Sequence, residues 1–293
     1  MVDEVKSSTL VGFIINGARY AVIILIFSYC YKRFLATRNS YYVYLSVATI
    51  FVNACIVYDM SRFNILLYAA TLAYLLVQLF PSHKQRILRM SLIGGLLLVA
   101  VVSWYKMFSE ARGGNDDAND LSQWASTLQQ YFMGMRDVGV GLYTSEKLNQ
   151  LGTYGIMYFF NDIISNVMRL SKYSIEQLSL IYQYNEVYNA GISVDKIMPN
   201  ISAGHVYFGT LLSPSVTLFF SYLALFFDKK GSECNRIEFK FLYIFAALKC
   251  SVVMMQFYSM ILSTLVNTIF VLYLIFKANE MLFERSSKKR INK

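Results

Sequence analysis

Runs of about twenty mostly apolar residues recur along this chain, and they restrict its fold more than any other feature. A helix needs roughly 20 such residues to cross the ~30 Å hydrocarbon core of a bilayer. The runs fall at about 10–31, 40–59, 63–80, 90–108, 204–227, 239–257 and 261–276. Read as a single helix, the last two would overshoot a bilayer roughly twofold, so a tight turn is expected between them. The expectation is an all-α, polytopic helical membrane protein with about seven transmembrane helices and a large external loop carrying amphipathic helices. It forms a single integral membrane domain over 1–293. That domain divides into four spans in 1–108, an extracytoplasmic loop at 109–203, and three spans plus a cytoplasmic basic tail in 204–293.

Composition agrees. Only 15% of residues are charged and the mean hydropathy is +0.42, against about 25% charge in an average soluble domain. This excludes a disordered chain and argues against a soluble enzyme. The net charge of +9 does not indicate a nucleic-acid partner, because the cations sort by topology. Lys32, Arg33 and Arg38 follow the first run; Lys84, Arg86 and Arg89 follow the third. Lys229, Lys230, Arg236 and Lys240 follow the fifth, and the tail carries Lys277, Arg285, Lys288, Lys289, Arg290 and Lys293. Alternate ends are therefore basic, and the positive-inside rule makes that side cytoplasmic. The 109–203 segment then lies outside, with ten acids against six bases. The start of the chain would also lie outside, without a basic leader. A short tail can be translocated, and the arrangement is also expected of the C-terminal part of a longer protein. The four cysteines, Cys30, Cys55, Cys234 and Cys250, show no metal or disulfide spacing.

The external segment carries two helical patterns. Trp124, Leu128, Tyr131, Phe132 and Met135 form one. Ile156, Phe160, Ile163, Ile164 and Val167 form the other, with Asn161, Asp162, Ser165, Asn166 and Arg169 on its opposite face. Both read as amphipathic helices on the membrane surface or capping the bundle. Residues 113–120 read as a flexible acidic turn. Its Asp116, Asp117 and Asp120 are read as solvated rather than as a cation site. Tyr173, Tyr182, Tyr184 and Tyr188 suit either an interfacial aromatic belt or a carbohydrate.

Arg19 and Lys249 fall near the middle of the first and sixth runs, with no Asp or Glu at matching depth. Charges there are costly. They point either to an anionic ligand such as a lipid pyrophosphate, or to snorkelling of the long side chains. Nucleotide loops, nucleophile elbows and metal motifs are missing from the sequence. No cofactor and no metal are expected, and any transfer reaction would use a donor already activated and lipid-linked. At the outer mouth stand Arg62, Arg112, Arg136 and Arg169, which suit either interfacial anchoring or bidentate binding of a pyrophosphate. His205 opens the fifth run in Gly204-His-Val-Tyr-Phe-Gly209. It is either a packed span-end histidine or a base for an attacking hydroxyl.

Three stretches carry a resemblance: Asp59-Met-Ser-Arg62, Gln130-Tyr-Phe-Met-Gly134, and Met198-Pro-Asn-Ile-Ser-Ala-Gly-His-Val-Tyr-Phe-Gly209. Together with the single large outer loop and the tyrosine- and phenylalanine-rich composition, they resemble the Wzy-type oligosaccharide repeat-unit polymerases. These enzymes build O-antigen, capsule or exopolysaccharide. The resemblance implies a multi-pass protein of the bacterial cytoplasmic (inner) membrane with a cytoplasmic C-terminus. It implies metal-independent glycosyl transfer on the outer face, passing a glycan from undecaprenyl pyrophosphate to a hydroxyl of the next lipid-linked unit. Carried onto this chain, Arg62, Arg112 and Arg136 hold phosphate and His205 is the base, with His205 and Arg136 as the catalytic pair. Arg169, Arg19, Lys249 and Tyr207 complete the substrate-binding set. The implied partners are the lipid-linked oligosaccharide, the lipid bilayer, a flippase and a chain-length regulator, and no nucleic acid. The family usually has more spans, which fits an N-terminally truncated chain, and the turn at Gln256-Phe257-Tyr258 lacks an arginine expected there. The alternatives are a transporter or flippase of lipid-linked oligosaccharide and an inactive truncated polymerase. A transporter would be expected to show paired repeats, and none is visible.

Overall fold

A computed structural model describes residues 2–55, 62–111, 135–150, 152, 155–166, 173–189 and 196–291. In chain order the helices are α1 (Val2–Thr37), α2 (Tyr41–Cys55), α3 (Arg62–Leu79), α4 (Lys84–Ala111), α5 (Met135–Gln150), α6 (Gly155–Asn166), α7 (Leu180–Asn189), α8 (Asn200–Leu212), α9 (Ser215–Glu233), α10 (Ile237–Ser251), α11 (Tyr258–Thr264) and α12 (Val271–Ile291). Short 3-10 turns stand at Pro81–His83, Glu176–Leu178 and Val252–Met254, and a π-helical segment, Leu265–Phe270, joins α11 to α12. The described residues contain no strand, so the all-α expectation holds.

Among the described residues, fewer helices qualify as candidate spans than the hydropathy runs imply. Two helical stretches there are long and apolar enough to cross a membrane, Ala18–Thr37 and Tyr258–Leu282. The count reaches four only if each of two bent pairs is one span. Local sequence sets where the helices end and bend. Pro81 follows Phe80, whose backbone is non-helical (φ −122°, ψ 66°). The residue before a proline is driven from the helical region, so α3 stops and the chain turns 112° into α4. The run expected at 204–227 breaks twice. Gly209 adopts φ 77°, ψ −179°, a region open essentially to glycine alone. Pro214 then precedes α9, which leaves at 104° to α8. Helix α10 has 15 residues, about 22 Å at 1.5 Å per residue, short of a ~30 Å core. The expected turn near 256–258 is present: Phe257 is extended (φ −62°, ψ 134°) ahead of α11.

The chain divides into two compact units, one of residues 1–113, 229–245 and 272–293, the other of 114–228 and 246–271. In the first unit, α1 to α4 pack against their sequence neighbours. Tyr20, Tyr68, Phe241 and Phe245 interlock there, with ring centroids 5.0–6.1 Å apart. Leu72, Leu75 and Leu76 are fully buried, each worth about 2 kcal/mol. On α4, by contrast, Leu92, Ile93, Leu96 and Leu97 are 62–67% exposed, a contiguous apolar surface of the kind that contacts lipid or another protein.

The second unit is built around α8. It packs against α5 and α6, while α11 packs against α6. The approach is close because glycine faces α8 from both helices. A Cβ on Gly155 would lie 1.8 Å from the Val206 carbonyl oxygen, and one on Gly141 would lie 2.4 Å from Ser202 Cβ. Gly155→Ala is expected to destabilise the protein by about 2 kcal/mol, since the clash is with backbone and cannot relax by rotamer change. Gly139→Ala, where a Cβ meets nothing within 4 Å, should instead gain up to about 1 kcal/mol of helix propensity. Thermal unfolding of the detergent-solubilised protein separates the two, and equal shifts would refute the close-approach explanation.

Candidate functional site

Close packing around α8 fixes two polar pairs. Ser145 lies one turn beyond Gly141 on α5 and meets His205. Asp162 lies two turns beyond Gly155 on α6 and meets Tyr207. The glycines thus set the distances at which side chains of three helices meet.

His205 is half-buried. Its Nδ1 is 3.0 Å from the hydroxyl of buried Ser145, and its Nε2 is 3.1 Å from the hydroxyl of exposed Thr210. Thr210 reaches His205 across the break at Gly209. One ring nitrogen therefore faces the interior and the other faces an exposed hydroxyl. This polarity suits a base that takes a proton from outside while its far side is held in place.

Tyr207 points the other way. Its buried hydroxyl donates to Asp162 Oδ2 at 2.6 Å and accepts from the Tyr258 hydroxyl at 3.3 Å. Asp162 Oδ1 accepts the Leu180 amide at 3.3 Å. Phe159 lies beside Tyr207 and stacks on Tyr258. Burial among these rings pushes the Asp162 carboxyl up to about 6, against the lowering effect of the Tyr207 hydrogen bond. The sequence pattern sets Asn161 and Asp162 on the face opposite Ile156 and Phe160, and the structure turns these two residues inward. Asn161 and Asp162 are 8% and 2% exposed, whereas Ile156, Met157 and Phe160 are 43–57% exposed. Amphipathicity identifies two faces. Which one turns inward depends on what each face meets, and here polar partners await inside.

Three buried asparagines fasten irregular segments by pairing with main chain through both amide atoms. Asn161 pairs with both the amide and the carbonyl of Ile175, at 2.8 and 3.0 Å. Asn185 does the same with Lys196, at 2.9 and 3.0 Å. Asn200 donates to the carbonyls of Val253 and Gln256 and accepts the Tyr258 amide at 2.8 Å. The amide imitates a strand partner, although the described residues contain no sheet, and so satisfies backbone groups that lie outside regular helix.

The expected intramembrane cations both have neutral partners. Lys249, 3% exposed, donates to Gln256 Oε1 at 2.6 Å. Arg19, in the first unit, donates to the side-chain and main-chain oxygens of Asn53 and sits 5.4 Å over the Tyr68 ring. An amide oxygen accepts from a cation without carrying charge, so the lack of a carboxylate at matching depth does not leave either cation without a partner. Arg136, at the start of α5, is exposed and stacks 5.2 Å over the Tyr188 ring. Of the tyrosine cluster, Tyr184 is buried, with its hydroxyl 3.5 Å from the Asp137 carbonyl. Arg112 and Arg169 lie outside the described residues, as do the acidic turn 113–120, the 124–134 part of the first amphipathic pattern, and the stretches 59–61 and 130–134. Arg62 begins α3, with its side chain outside the described set.

Of the sequence-selected residues that are described, the second unit therefore holds His205, Tyr207, Arg136 and Lys249. Ser145, Asp162, Asn200, Gln256, Tyr258 and Lys196 were not selected from sequence. The available signal was the density of Asn and Asp beside small residues in 155–166 and 198–204. No protein-family model, curated protein or solved structure matches the chain.

Proposed function

We propose that this chain is a membrane glycosyltransferase. It polymerises undecaprenyl-pyrophosphate-linked oligosaccharide repeat units into surface polysaccharide at the outer face of the bacterial cytoplasmic membrane, with its C-terminus cytoplasmic. The observation that carries this reading is His205, held by a buried hydroxyl on one side and facing an exposed one on the other. The exposed hydroxyl of Thr210 occupies the position that an acceptor sugar hydroxyl would take. The apolar surface of α4 and the apolar stretches Ala18–Thr37 and Tyr258–Leu282 support a place in the bilayer.

The reaction needs the tautomer in which Nδ1–H donates to Ser145 Oγ and Nε2 carries the lone pair. Nε2 takes the proton of the acceptor hydroxyl, and its oxygen bonds to the anomeric carbon of the donor glycan. The bond from that carbon to the pyrophosphate oxygen breaks, and its electron pair leaves on the lipid pyrophosphate. Arg136 offsets the charge that develops there. The proton on His205 then passes to solvent. A base of this kind contributes about 10²–10⁴-fold in rate.

Gene deletion in the host tests the reading, with surface glycan resolved on a gel. Deletion should collapse the ladder to single repeat units. Wild type should restore it, and Arg136→Ala and His205→Ala should not. An unchanged ladder after deletion would refute the proposal.

A further inference from the structure

We propose that the bend between α3 and α4, with the α1–α2 turn fastened beside it, binds the headgroup of an anionic phospholipid of the cytoplasmic leaflet. This rests on the bilayer placement of the chain and not on the transfer chemistry proposed above.

Positive charge gathers here without compensation. Lys32 and Arg33 stand near the end of α1, Arg38 lies in the turn to α2, and Lys84, Arg86 and Arg89 occupy the first two turns of α4. All six are exposed. Between residues 5 and 109 the sequence holds one acid, Asp59, which lies outside the described residues. Helices α2 and α3 carry no acid. Those of α1 and α4 are Asp3, Glu4 and Glu110, at the far ends of the two helices, more than about 30 Å along the axis from the cations at 1.5 Å per residue. Glu233, Glu238 and Glu280, in the same unit, meet Lys230, Arg236 and Lys277. Among the described residues, none of the six cations makes an ion pair.

The fold brings the two sets to one end of the helices. His83 Nδ1 is 3.0 Å from the Ser82 hydroxyl, and its Nε2 is 3.1 Å from the hydroxyl of Ser40, just ahead of α2. Phe34 of α1 meets His83 and Phe80 edge-on, with centroids 5.5 and 5.1 Å apart. The 112° bend frames an open cavity of about 380 Å³, lined by Pro81, Ser82, His83, Lys84, Gln85 and Arg86. Lys84 and Arg86 thus border one space, together with a hydroxyl and an amide that can also donate to phosphate oxygens.

The neighbouring surface selects a lipid over a soluble anion. On α4 the cations are succeeded by Leu92, Ile93, Leu96 and Leu97, 62–67% exposed. On α1, Val22, Leu25 and Tyr29, 53–68% exposed, precede Lys32 and Arg33. Both helices therefore pass from apolar surface to cations toward the same end. A phospholipid has the matching order, acyl chain then phosphate. A free phosphate would engage the cations alone and leave the apolar surface uncovered. The positive-inside rule assigns this end to the cytoplasmic side, where anionic headgroups attract basic segments.

The test uses the full chain, purified in detergent, with bound lipid counted by native mass spectrometry. The probes are dioleoyl phosphatidylglycerol, dioleoyl phosphatidylcholine and glycerol phosphate. Wild type should retain phosphatidylglycerol about tenfold more tightly than phosphatidylcholine or better. Lys84→Gln, Arg86→Gln and Arg89→Gln should each weaken that binding about fivefold, and the triple variant should lose the preference. Lys288→Gln, Lys289→Gln and Arg290→Gln combined, an equal loss of charge in the tail, should leave it standing. Circular dichroism confirms folding, and the Lys84→Gln, Arg86→Gln double variant replaces a triple that does not fold. Equal retention of the two phospholipids by wild type would overturn the proposal, as would an unchanged preference in the triple or double variant. Displacement of phosphatidylglycerol by an equal concentration of glycerol phosphate would overturn it in favour of a soluble phosphate ligand. Retention of neither phospholipid would overturn it together with the bilayer placement. The polymerase reading fails separately, by a ladder indifferent to gene deletion.

Discussion

Asn200→Ala is expected to cost about 3–6 kcal/mol, the largest stability loss of any single polar substitution in the second unit. The side chain is 3% exposed and makes three hydrogen bonds, to the carbonyls of Val253 and Gln256 and from the amide of Tyr258. Removal of one partner leaves a buried group to bear its desolvation cost, about 1–3 kcal/mol each. Alanine orphans all three, and no other described side chain bonds these groups. Asn200→Asp is a sharper comparison. Its oxygens can still accept from Tyr258, but neither can donate to a carbonyl, and a charge is buried. It should be at least as damaging as alanine despite its near-identical shape. Ile201→Ala, next in sequence but 46% exposed, should cost well under 2 kcal/mol. Chemical unfolding in mixed micelles gives all three values. A small loss in Asn200→Ala would mean that the turn over 252–257 is held by something other than this amide.

Much of the fold was legible before the structure, and the departures have specific causes. Hydropathy locates apolar residues, and helices do stand at each run. It does not register what interrupts a helix. Gly209 and Pro214 break the run at 204–227, Pro81 ends α3 at the expected boundary, and the described residues hold two unbroken candidate spans, or four with the bent pairs. The amphipathic pattern at 155–166 did become a helix. The pattern separates two faces and leaves open which turns inward; in the structure Ile156, Met157 and Phe160 are exposed and Asn161 and Asp162 are buried. Among the candidate site residues, His205 and Tyr207 stood out through their motif. Their partners did not, because Ser145 and Asp162 are 60 and 45 residues away in sequence and only the close approach allowed by Gly141 and Gly155 joins them. Asn53 and Gln256, which meet Arg19 and Lys249, carry no charge that would mark them in the sequence as partners of a cation.

The pH dependence of stability is expected to report on Asp162. Its carboxyl titrates at about 6 in the folded protein, against 3.8 ordinarily, because burial penalises the charged form more than its hydrogen bonds favour it. The sign follows from proton counts. Between the two values the folded state keeps a proton that the unfolded state has released, so stability falls as pH rises. The stabilising contribution is fully present below about pH 3.8 and is lost as pH passes through about 6. The gap is worth about 3 kcal/mol at 1.36 kcal/mol per pH unit. Asp162→Asn cannot titrate, so this fall between pH 4 and pH 7 should vanish in the variant, whatever its stability at either end. Tyr207→Phe separates burial from hydrogen bonding. It removes the donor that favours the charged carboxylate, so the titration should move to higher pH while keeping its sign. Unfolding midpoints measured in half-unit steps from pH 4 to pH 8 distinguish these outcomes. An identical pH profile for wild type and Asp162→Asn would show that Asp162 is ionised throughout that range, and that the aromatic enclosure does not raise its carboxyl.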